Sequence, residues 1–178
     1  STQFLCTGWT GSGSVSASGT NMETSLFILK EDSAITWNWS TQYWFSVDAA
    51  AGGTVDASNQ WVDAESISRI TATADPGYSF AGWQLSITGL DTNANPLDIP
   101  FHQAVTATAN FEEQRVTLTA TSAGMGQIVP SGSIRADYGT NVSFVITPNT
   151  GYRVEDVTVD DLSIGATTGY TFTNVMTN

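Results

Sequence analysis

Apolar and polar residues alternate in short runs along most of the chain. Ile35, Trp37 and Trp39 lie on one side of such a run, with Thr36 and Asn38 on the other. Tyr43, Phe45 and Val47 alternate with Trp44, Ser46 and Asp48, and Val116, Leu118 and Ala120 alternate with Thr117, Thr119 and Thr121. A period of two sends successive side chains to opposite faces of an extended chain, so each run predicts a half-buried β-strand. Further strands are expected at 5–9, 24–29, 67–73, 78–83, 105–111, 157–159 and 170–173. No segment keeps an i, i+3, i+4, i+7 apolar pattern over a helix's length, and residues 63–66 offer a single turn at most.

The runs recur. Asp75-Pro76-Gly77-Tyr78-Ser79-Phe80-Ala81-Gly82-Trp83 returns in altered form as Asn149-Thr150-Gly151-Tyr152-Arg153-Val154-Glu155-Asp156-Val157, and its end is foreshadowed by Leu5-Cys6-Thr7-Gly8-Trp9. Trp9 and Trp83 are 74 positions apart, as are Gly77 and Gly151. At a shift of 73, Tyr43, Phe45 and Val47 fall on Val116, Leu118 and Ala120, and Gly53-Thr54-Val55 falls on Gly126-Gln127-Ile128. Self-similarity at a fixed period sets the folding unit. The expected organisation is residues 1–42 as the C-terminal half of a module, 43–113 as a complete module, and 114–178 as a module lacking its final strand. The fold class is mainly β, in tandem modules of about 70 residues with little helix. Asp-Pro-Gly and Asn-Thr-Gly are turns whose common requirement is a left-handed residue, so Gly77 and Gly151 are expected to hold positive φ. A half module cannot bury a two-sided core, so residues 1–42 are expected to dock on a neighbour through Trp37, Trp39 or Trp44, or to be completed by another molecule.

Composition narrows the partners. Five Lys and Arg stand against 17 Asp and Glu, a net charge of −12. Phosphate binding needs clustered cations, so nucleic acid is excluded as a partner. No apolar run approaches the roughly 18 residues that cross a bilayer as a helix, so no membrane insertion is expected of this segment. The opening Ser-Thr-Gln is no leader, and the chain reads as a piece of something longer. Cys6, the single cysteine, is expected as a small buried hydrophobe.

The order of motifs is Gly-Gly-Thr-Val, a polar turn, an aromatic, a Thr/Ala strand, Asp-Pro-Gly-Tyr-Ser-Phe-Ala-Gly-Trp, and a closing Thr-Ala-Thr-Ala-Asn-Phe. It resembles the divergent internalin-type B-repeat, or bacterial repeat domain, of large secreted and surface-anchored bacterial proteins. The third copy resembles it too, through Gly-Gln-Ile-Val-Pro-Ser-Gly and Ile-Thr-Pro-Asn-Thr-Gly-Tyr, but has Val157 in place of tryptophan. The resemblance implies β-grasp-like or β-sandwich-like units at the bacterial cell surface or outside the cell, with spacer or adhesion roles and neighbouring repeats as partners. It carries over no catalytic or metal residue.

The residues agree with a non-enzymatic reading. A hydrolytic triad needs a histidine within reach of a nucleophile, and His102, the one histidine, falls in a stretch expected to be a solvated loop. No zinc spacing, phosphate loop or nucleophile elbow is present, and no cofactor is implied. Glu155, Asp156, Asp160 and Asp161 could offer oxygens to calcium, but they lack EF-hand spacing and Asp160-Asp161 is a natural turn pair. Lys30, the one lysine, would have to be buried beside an Asn and an acid to form an isopeptide bond, and its flanks read as a solvated turn. The six tryptophans raise a second reading, a carbohydrate-binding module. Trp9, Trp83 and Trp39 are expected in module cores. Trp44, on the face opposite Phe45, and Trp37 are the candidate residues for a ligand or inter-module contact, with a polysaccharide or a host or surface protein as the partner.

Overall fold

The computed structural model of the chain describes residues 1–176. Among them are seventeen strands and no helix, in two compact units: residues 1–73 with 80–110, and 74–79 with 111 onward.

The first unit is built on β1 (Thr2–Ser12), β2 (Ser18–Gly19), β3 (Ala34–Ala49), β4 (Gly53–Val55), β5 (Gln60–Asp63), β6 (Ile67–Ile70), β7 (Ala72–Ala74), β8 (Tyr78–Leu85), β9 (Leu97–Pro100) and β10 (Val105–Glu113). Its main sheet runs β2-β1-β3-β10-β8, with β5 also paired to β3. The long β3 carries two neighbourhoods. Its first part lies antiparallel to β1, from Thr2↔Tyr43 to Ser12↔Ala34, and its second part lies parallel to β10, from Val105↔Phe45 to Ala109↔Ala49. The expected boundary between residues 42 and 43 therefore falls inside one strand. Ser40-Thr41-Gln42 contains no Gly or Pro to break it.

Alternation along β3 and β10 explains the core. Phe45 and Val47 meet Val105, Ala107 and Ala109, together with Ile70, Ala72, Trp83, Leu97, Ile99 and Phe101, and all are buried. The rings of Phe45 and Phe101 meet edge to face at 5.2 Å. The run at 67–73 is split at Thr71, where Asp56 intervenes: its carboxylate accepts the Thr71 N–H at 2.7 Å, and its own N–H donates to the Thr71 carbonyl at 3.1 Å. The Thr71 bond holds the Asp56 carboxyl below its ordinary pKa. A depressed folded-state value adds stability above the unfolded pKa and loses it as pH falls through the folded one. Acid titration of the first unit is expected to show this loss below about pH 4, and Asp56→Asn should flatten that part of the stability profile.

The second unit repeats the plan with β11 (Arg115–Ala120), β12 (Gly126–Val129), β13 (Gly132–Asp137), β14 (Val142–Pro148), β15 (Thr158–Val159), β16 (Leu162–Ser163) and β17 (Gly169–Phe172). β11 pairs with β13 as β3 pairs with β5, β12 with β14 as β4 with β7, and β14 with β17 as β6 with β9. Even register is kept: Phe144↔Tyr170 corresponds to Ile70↔Leu97. The core joins Val116, Ala136 and Val175 to Leu118, Val142 and Phe172. Gly77 and Gly151 both have positive φ, 86° and 87°. They differ in surroundings: a β-carbon at Gly77 would lie 3.1 Å from Tyr138, whereas one at Gly151 would meet nothing within 4 Å.

Two expected elements are different. Residues 24–29 form no strand, and Leu26, Ile28 and Leu29 are exposed. Their apolar run is continuous and names no buried face, while β2 already pairs with β1 at Trp9↔Gly19 and Thr10↔Ser18. Residues 63–66 form a turn with Glu65 at positive φ, not a helical turn.

Candidate binding surfaces

The β1–β3 hairpin presents an aromatic face. Trp9 lies directly opposite Trp37, and Cys6 opposite Trp39. Residues paired across two strands share a face, and alternation adds Phe4 to it. The same face of β3, farther along, carries Phe45 and Val47 into the core. On the hairpin it is largely uncovered: Phe4 is 69% exposed, Trp39 62% and Trp37 37%. The core position expected for Trp39 is thus not taken up: among the described residues no counterpart of β6 and β9 lies over the hairpin. Trp9 is buried over Gly19, where a β-carbon would lie 2.6 Å from the indole. Cys6 is half-buried, with its thiol 3.6 Å from the Gly8 carbonyl. A flat apolar strip of this kind can stack on sugar rings or pack against a protein face; it has no chemistry for bond cleavage.

Trp44 is placed elsewhere. It is seven residues from Trp37 on the same strand, about 23 Å along it and on the opposite face. It is half-buried and meets its cross-strand neighbour Trp61 edge to face at 5.3 Å. The structure does not bring Trp37 and Trp44 together. The hairpin joins the rest of the unit through the β3 backbone and through β5, where the Ala64 N–H donates to the Thr41 carbonyl at 2.9 Å and the Gln42 side-chain amide donates to the Asp63 carboxylate at 2.9 Å.

The polar candidates are engaged in turns. Asp156 accepts the Ser163 hydroxyl at 2.8 Å and the Gly165 N–H at 3.1 Å. Asp160 and Asp161, at φ 49° and 64°, form the two-residue turn between β15 and β16, the geometry that short hairpins favour. Among the described residues no group of three or more His, Cys, Asp or Glu is placed to hold a metal ion. His102 sits at the surface, 2.9 Å from the Glu65 carboxylate, and Lys30 is exposed, its N–H donating to the Ser14 hydroxyl.

In the second unit an open groove of about 660 Å³ runs between the end of β11 with the following loop and residues 152–160, floored by Phe144, Ile146, Tyr170 and Phe172.

The divergent InlB B-repeat domain family matches residues 43–115 and again residues 116–178, two consecutive copies that account for most of the chain. The chain belongs to the divergent InlB B-repeat family. No curated protein and no solved structure matches it. The two matched repeats are those whose strand pairings coincide above. The family is associated with bacterial surface or secreted proteins, and among the described residues no helix is long and apolar enough to cross a membrane.

One repeat feature escaped the sequence reading. Gly8 and Gly82, each just before a buried tryptophan, have φ of 121° and 128°. At the second, the Trp83 N–H donates to the Thr92 carbonyl at 2.7 Å and its indole N–H to the Ala94 carbonyl at 3.0 Å. A β-carbon at Gly82 would press on that same loop, 3.2 Å from the Thr92 oxygen. The signal available was the Gly-Trp dipeptide, present at 8–9 and 82–83 and replaced as a pair by Asp156-Val157.

Proposed function

We propose that the chain is a non-enzymatic repeat segment of a secreted or surface-exposed bacterial protein and serves as a stalk or spacer. The observation that carries this reading is the strand pairing repeated at a shift of 73–74 residues, since repeats of one plan extend a protein by adding copies. On this reading residues 1–42 are the rear half of a further repeat, with β1 and the first part of β3 in the roles of β8 and β10, and neighbouring repeats are the principal partners.

A second reading is favoured by the exposed aromatic face: adhesion by stacking of Phe4, Trp37 and Trp39 on a polysaccharide. One titration separates the two. Tryptophan emission followed against a panel of bacterial and host polysaccharides should stay unchanged for a pure spacer. A saturable shift that Trp39→Ala abolishes would replace the spacer by the binding module, and release of reducing sugar by the purified chain would sink both.

A further inference from the structure

Both repeats leave the same strand edge open. β5 pairs with β3 and β13 with β11, and among the described residues neither takes a second strand. β5 keeps its open edge with the β1–β3 hairpin before it in the sequence and a whole repeat after it, so the edge belongs to the plan of the repeat. β13 is the longer of the two, six residues against four, and Ser133, Arg135 and Asp137 along it are exposed.

Hydrogen-bond parity fixes which of its groups face outward. The Tyr138 N–H donates to the Gln114 carbonyl at 3.2 Å, and in the β11–β13 register this makes Ala136, Ile134 and Gly132 the residues bonded to β11. The N–H and C=O groups of Ser133, Arg135 and Asp137 therefore point away from it, along the open edge. Their side chains share the face opposite Ala136, which is in the core.

Charge on an edge strand ordinarily guards it against a second copy. β5 fits that rule, with Asp63 as its one charged residue. β13 carries one charge of each sign, Arg135 and Asp137, two positions apart on one face. Asp137 meets Arg115 at 3.3 Å with its side chain still 66% exposed, and among the described residues Arg135 has no ionic partner. Two antiparallel copies must set outward residues opposite outward residues. Centred on Arg135, the pairing opposes two guanidinium groups, which is destabilising. Centred on Ala136, it sets Arg135 opposite Asp137 of the second copy and Asp137 opposite its Arg135, so both cross-strand pairs are attractive.

We propose that the open edge of β13 pairs with the same edge of a second copy of the chain, antiparallel about Ala136, with Arg135 and Asp137 matched across the seam. The inference rests on neither reading of the function above.

The test uses the full chain. Sedimentation at concentrations up to about 1 mM, the weak end of specific association, should show monomer and dimer in equilibrium, and amide hydrogen exchange at Arg135 and Asp137 should slow as the dimer fills. Arg135→Asp and Asp137→Arg should each weaken the dimer about tenfold or more, because either one makes the opposed charges alike. Mixing the two variants should restore it, since one then offers two acids and the other two cations, and the chain with both substitutions should dimerise within about threefold of the parent. Recovery in these two cases requires folded variants and so separates charge from loss of fold. A monomer at every concentration, a dimer indifferent to both reversals, slowed exchange that omits residues 135 and 137, or variants that do not recover on mixing would overturn the proposal.

Discussion

Phe45→Ala is expected to lower the stability of the first unit by about 3–5 kcal/mol, the range for removing a fully buried ring. Phe45 is 0% exposed, and its ring meets that of Phe101, itself 0% exposed. Natural domains hold only about 5–15 kcal/mol in total, so the variant should sit near its unfolding midpoint under mild conditions. The measurement is specific, because all six tryptophans lie in residues 1–110 and urea unfolding followed by their emission reports that unit alone. The repeat-matched Leu118→Ala, which those tryptophans do not report and which is followed instead by amide hydrogen exchange of residues 111–176, should cost clearly less, since Leu118 is half-buried. Equal losses at the two positions would show that the exposure difference between the repeats does not exist in solution.

Gly77→Val should be the most damaging change in the second unit that touches no apolar side chain of its core. A left-handed conformation costs an L-residue about 1–2 kcal/mol, and here the β-carbon would also press on Tyr138 at 3.1 Å. The position anchors a short relay: the Gln114 N–H donates to the Gly77 carbonyl at 2.7 Å, and the Tyr138 N–H donates to the Gln114 carbonyl at 3.2 Å. Faster amide exchange at Gln114 and Tyr138 is therefore the expected signature. Gly151→Val carries the conformational cost without the steric one and should destabilise less. If the two variants lost the same stability, the contact with Tyr138 would have no energetic weight.

Sequence periodicity was informative wherever a strand had one buried face. The alternations at 43–47 and 116–120, the repeat shift and the two turn glycines all follow from local rules of pleat and turn, and these reach no farther than a few residues. What could not be read was whether a face that looks buried has anything above it. Trp39 matches Phe111 in the repeat and alternates like a core residue, yet its exposure depends on what lies over the hairpin, which no local pattern records. The split of 67–73 at Thr71 is also non-local, because the group responsible, Asp56, is fifteen residues away. Residues 24–29 misled for the opposite reason: four consecutive apolar residues satisfy a strand template without naming a face, and the chain left them outside any sheet.

The Gly82-Trp83 pair and the loop at 91–95 are structurally coupled. The loop brings the Thr92 oxygen to the Trp83 N–H and the Ala94 oxygen to the indole, and that closeness would crowd a β-carbon at residue 82, where φ is already positive. If segments are exchanged between copies of this repeat, the position of the breakpoint matters. An exchange falling between residues 83 and 92 would join a Gly-Trp strand to a loop shaped for Asp-Val, or the reverse, and the product would carry either an indole with an unmatched N–H or a side chain forced into positive φ. Exchanges outside that interval transfer the three parts together. Hybrid repeats cut at 70 and at 100 should therefore fold as well as their parents, while the hybrid cut at 88 pays for having separated them.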